Sequence, residues 1–188
     1  MQAAILLEIL SAPVSKAKVD DLAKKLVEHK FPVSELIDLT FHKEEQIGFR
    51  ASWILENLYI GSTFYFWPQA KYFLERFHQQ NNLSSRRHFG KILALMTSKK
   101  AHFYITEVIQ TYKTDTIVEV VFSWLIDDDV PVAVKSHCLN ILANLSWKHD
   151  WIKEELVETM DFLVDRESIA FYAKAKQIRK QLIARIKQ

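Results

Sequence analysis

Apolar residues recur along this chain at three- and four-residue intervals, the period of a helix with one buried face. Ser15 precedes one such run (Val19, Leu22, Leu26), with Asp20 and Asp21 where carboxylates favour the positive helix end. Pro32 fits the first turn of a short helix through Leu39. A longer helix is predicted from Glu44 to Ile60, broken by Gly61-Ser-Thr, and another from Pro68 to Gln80. Ser84 or Ser85 is the expected cap of a helix reaching Met96, and Ser98 that of one reaching Tyr112. Thr116 and Glu119 have capping-box spacing. Thr116–Leu125 is rich in β-branched and aromatic residues, so it is the one segment where a strand competes. Asp127-Asp-Asp-Val-Pro131 separates that segment from a helix to Trp147. Two more helices run from Asp150 to Asp165 and from Ser168 to Lys187. That gives roughly ten helices on short loops and a single domain over residues 1–188.

A repeat underlies the pattern. Ile54-Leu-Glu-Asn-Leu58 and Ile141-Leu-Ala-Asn-Leu145 agree at four of five positions. Ile92-Leu-Ala-Leu-Met96 fits the same register well, and Ile178-Arg-Lys-Gln-Leu182 loosely. Three residues before each isoleucine stand Ala51, Phe89, Cys138 and Ala175. Two of the three spacings, 38 and 37 residues, are those of one helical hairpin. The third, 49 residues, allows a hairpin with an extension.

Asp127 to Leu145 resembles a HEAT repeat. In that family an acidic, often Pro-containing turn precedes the second helix, and a Val-Lys/Arg pair then precedes a small residue and a leucine. Here these are Val134-Lys135, Cys138 and Leu142. The match is partial around residues 54, 92 and 178 and absent over 1–43. The resemblance implies an all-α fold, an α-α superhelix of about four to five stacked HEAT-like hairpins. Physics points the same way, because one hairpin cannot bury its apolar face alone. Cys138, sharing its position with Ala51, Phe89 and Ala175, reads as a small buried residue.

One residue before that core stripe runs a second ridge. It comprises Arg50, Trp53 and Asn57; His88, Lys91 and Leu95; His137, Asn140 and Asn144; then Lys174, Gln177 and Gln181. Spacing of i, i+3, i+7 puts each set on one side of its helix. In a solenoid such positions line up on the inner helices. Either they form a binding groove, with Arg50, Trp53, Asn57, His88, Lys91, His137, Asn140 and Asn144 as its contacts, or a solvated face stitched by inter-repeat hydrogen bonds.

Composition removes other classes. Three Gly and four Pro are too few for the turns of an all-β fold. A net charge of +2 does not imply nucleic acid by itself. Its distribution is blockwise: 71–113 is basic, 127–167 carries ten Asp/Glu against four Lys/Arg, and the tail from Ser168 is basic. Such blocks read as solvated faces; an anion site at Arg86-Arg87-His88, Lys91 and Lys99-Lys100 is the alternative. Phe64-Tyr-Phe-Trp67 with Tyr72 and Phe73 either plugs the space between repeats or anchors a partner.

One cysteine excludes an internal disulfide and any Cys-based zinc motif. Asp127–Asp129 lack the later acid of a calcium loop and read as caps, and the seven histidines lack a zinc spacing. No metal, cofactor or catalytic constellation is expected. Glu8 inside the first apolar run makes a poor signal peptide, and the longest uncharged run, Asn57 to Ala70, is too short for a bilayer. The expectation is a cytoplasmic, non-catalytic scaffold for a protein or peptide partner, with no membrane. The rival is a DNA-binding enzyme: Trp124 and Asp128 resemble the Trp/Asp spacing of the HEAT-like alkylpurine DNA glycosylases. That family reads DNA with basic concave helices.

Overall fold

The computed structural model describes residues 2–186, with side chains through Ile183; a helix end at Lys187 and the side chain of Ile186 lie outside the described residues. Among them there is no strand. Among the described residues twelve α-helices follow one another: α1 (Ala3–Ser11), α2 (Lys16–Glu28), α3 (Val33–Leu39), α4 (Glu45–Gly61), α5 (Thr63–Phe66), α6 (Ala70–Phe77), α7 (Leu83–Met96), α8 (Phe103–Thr111), α9 (Asp115–Ile126), α10 (Val132–Leu145), α11 (Ile152–Val164) and α12 (Ile169–Ile186). A 3-10 turn, Trp67–Gln69, joins α5 to α6. None of these helices is long and apolar enough to cross a membrane.

The helices form two compact units, residues 1–92 with 102–112, and residues 93–101 with 113–188. In the first, α4 is central and packs against α1, α2 and α3. Ile47, Ala51, Ile54, Leu55 and Leu58 supply its buried stripe. In the second, α10 is central, packed by α9, α11 and α12. Nine of its fourteen residues are buried, as befits a helix covered on most sides. The repeat register holds: Ala51, Phe89 and Cys138 have no exposed surface and Ala175 has 2%.

Helix beats strand over Thr116–Leu125. Ile117, Val118, Val121, Trp124 and Leu125 form a helical stripe, all buried. A β-branched residue loses at most ~0.7 kcal/mol of helix propensity, whereas burying such a side chain gives about 1.5–3 kcal/mol.

Several expected caps change place. Asn82, not Ser84 or Ser85, caps α7: its Oδ1 accepts from the backbone N–H of both serines. Ser98 closes a turn with the Lys100 N–H, and α8 begins only after His102. Thr116 lies inside α9, whose N-cap residue is Thr114, so the predicted capping box does not form. Pro68 falls in the 3-10 turn, which leaves α6 shorter than predicted. Helix α2 ends as a Schellman motif, with Phe31 N–H bonded to Leu26 O and Lys30 N–H to Val27 O. Lys30 takes the left-handed conformation, φ 51°, that glycine usually supplies there.

Candidate partner-binding ridge

In the first unit the ridge sits on α4 and the start of α7. Arg50 is turned inward, its Nη1 donating to Leu10 O at 2.7 Å. A guanidinium at the C-terminal carbonyls of α1 satisfies an orphan acceptor and complements the helix dipole. His88 is 7% exposed. Its Nδ1 lies 2.6 Å from Glu56 Oε2, while Nε2 is buried with no partner among the described residues. Trp53 stacks on the imidazole at 6.4 Å and 17°, and Phe49 lies 5.4 Å from it. Asn57 Nδ2 donates to Trp53 O, one turn back on its own helix. Asn57 also borders a cleft of about 340 Å³ with Asp20, Lys24 and Ser62. Trp53 and Lys91 remain half-buried.

Glu56 and Phe49 were not among the expected site residues. Their spacing shows the signal: Phe49, Trp53 and Glu56 stand at i, i+4 and i+7, one face of α4, and that face meets His88.

In the second unit Asn144 is 9% exposed and joins three helices. Its Nδ2 donates to Ala94 O and Thr97 Oγ1, both at 3.4 Å, and its Oδ1 accepts from Gln181 Nε2 at 3.1 Å. His137 and Asn140 are half-buried on the same helix. On α12, Lys174 donates to Gln177 Oε1, and burial pushes its ammonium below the usual lysine range. Arg50, Asn57, His88 and Asn144 make the hydrogen bonds described, and Trp53, Lys91, His137 and Asn140 are half-buried.

The other sequence features resolve individually. Arg86 Nε donates to Gln80 O, and with His88 turned inward only Arg87 of that triplet is fully exposed. Of the aromatic cluster, Phe66 and Phe73 are core. Tyr65 donates to Phe31 O and Tyr72 to Asp38 Oδ1. Phe64 is 67% exposed beside Trp67, which stacks on Tyr104 at 4.5 Å. The cluster therefore plugs with one side and shows the other. Asp127 Oδ1 accepts from Asp129 N–H, closing the turn; α10 has no side-chain cap, which corrects the capping role expected of these aspartates. Among the described residues no three metal-ligating side chains converge. Trp124 is 3% exposed, so it offers no ring face to a nucleobase, and Asp128 lies exposed in the turn.

Comparison with protein families matches residues 6–182 to a HEAT repeat domain. No curated protein matches significantly. Among solved structures, a crystal structure of an engineered protein aligns with 18% identity and a TM-score of 0.59. The alignment covers 98% of this chain and 86% of that one. At that identity the likeness concerns the fold.

Proposed function

The chain belongs to the HEAT repeat domain family, and on that premise we propose a non-catalytic scaffold that binds a protein or peptide partner along its inner helices. One observation carries the reading. In the first unit a half-buried tryptophan ring is held by two neighbours, the His88 ring and Phe49. A ring fixed before the partner arrives loses little rotamer freedom on binding, and tryptophan is enriched at binding hot spots. Lys91, one turn after His88 on α7, adds a cation beside it. His137 and Asn140, half-buried on α10, offer polar contacts on the second unit. The lone, buried cysteine agrees with the cytoplasmic setting we propose.

Affinity capture with quantitative mass spectrometry tests this. Trp53→Ala and Lys91→Glu should each deplete the same captured protein by about tenfold with helicity retained. Capture that neither substitution changes removes the ridge as the binding surface. Arg50→Glu serves as the contrast, since it acts on the attachment of α1 and should lower stability.

A further inference from the structure

The second unit carries an exposed apolar face that the ridge does not use. On α9, Asp115, Glu119, Phe122 and Ile126 stand at i, i+4, i+7 and i+11, a single stripe. Trp151, at the N-cap of α11, begins a matching stripe with Glu155, Glu158 and Phe162. The two stripes meet where Phe122 and Trp151 stack, 5.7 Å apart and 23° from parallel. Ile126, Trp151 and Phe162 are each more than half exposed, an unusual concentration of large apolar side chains for a solvated surface.

The rim of this face fixes what fits it. Glu119, Glu154, Glu155 and Glu158 are all exposed and form no ion pair among the described residues. Two acids elsewhere in the same unit are paired, Asp161 with Arg179 and Glu167 with the buried Lys135. Phe162 already carries a guanidinium, that of Arg166, 4.0 Å from its ring centre. Trp151, a stronger cation–π acceptor than phenylalanine, has no cation over it among the described residues. His149 is engaged at the edge of the patch: its Nε2 lies 2.7 Å from Thr114 Oγ1 and its Nδ1 3.8 Å from Asp115 Oδ1.

From this complementarity we infer that the α9–α11 face is a docking surface for a basic, arginine-rich peptide segment of a partner protein. Its guanidinium groups stack on Trp151 and pair with Glu155 and Glu158, and its apolar side chains cover Phe122 and Ile126. This surface is separate from the proposed ridge, and either can fail without the other.

The test uses fluorescein-labelled oligo-arginine, with oligo-glutamate of equal length as control, titrated into the full chain by anisotropy. Oligo-arginine should bind and move the Trp151 indole N–H resonance, while that of the buried Trp124 stays in place. Trp151→Ala should weaken binding by about tenfold, with Lys91→Glu leaving it unchanged. Glu155→Lys/Glu158→Lys should abolish it with the helical signal intact. Binding that ignores Trp151→Ala would reduce the effect to diffuse charge and overturn the inference. So would self-association that Glu155→Lys/Glu158→Lys disrupts, because the occupant would then be the exposed Ile169, Tyr172, Lys176 and Lys180 of a second copy.

Discussion

Helices α4 and α10 are central in their respective units and carry nearly the same pentapeptide, yet equivalent positions do different work. Asn57 bonds one turn back on its own helix; Asn144 joins α10 to α12 and to the end of α7. Where α4 has Gly48, α10 has Lys135, 1% exposed and paired with Glu167. Gly48 lets the Thr40 carbonyl approach so closely that an added Cβ would lie 2.8 Å from its oxygen. The repeat motif assigns an address, and the neighbouring helix decides what the residue there must do.

The largest break in this comparison should come from Lys135→Ala, which strands Glu167 and is expected to cost about 3 kcal/mol in urea unfolding. At the matching position, Gly48→Leu drives a side chain into backbone and should cost about 2 kcal/mol. Asn144→Ala removes the Gln181 bond and one of the two side-chain donors to Ala94 O, the other being Thr97 Oγ1, for a loss of about 1.5 kcal/mol. Asn57→Ala, losing a bond within one helix at a half-buried site, should cost only about 0.5 kcal/mol. Equal losses for the two asparagines would show that the pentapeptide alone sets the energetics.

A pH titration sharpens the contrast further. Desolvation pushes the Tyr59 phenol up to about 12 from its ordinary value near 10. Tyr65 and Tyr112 are raised by burial and Tyr72 by its bond to Asp38, all in the first unit. The unfolded chain ionises its tyrosines first, so their contribution to stability should be level below pH 10 and fall as pH rises toward 12. The position matching Tyr59 is Ser146, the C-cap of α10, which has nothing to titrate there. Tyr59→Phe should therefore lessen the alkaline loss, measured by chemical denaturation across that range.

The core was legible because burial imposes a period. Ala51, Phe89, Cys138 and Ala175 could be set in register from spacing alone, and all four proved buried. Caps were less legible, since Asn82, Ser84 and Ser85 all have suitable side chains and only backbone geometry chooses among them. The ridge was half legible. Periodicity placed Arg50, His88 and Asn144 on one side of their helices, but inward and outward differ there by a rotamer. Which way each turned depended on Leu10, Glu56 and Gln181, residues 40, 32 and 37 positions away. Helix α1 was not legible because its apolar run has no side-chain cap, no acid in its first turn and no base in its last.

Cys138 offers a built-in clock for the second unit. Its thiol has no surface in the folded chain and there is no other cysteine, so a maleimide or disulfide reagent reacts only with molecules that have momentarily come apart around α10. When closing outpaces alkylation, the labelling rate reads out the free energy of that excursion. Breathing in half of this chain can thus be followed without adding a probe.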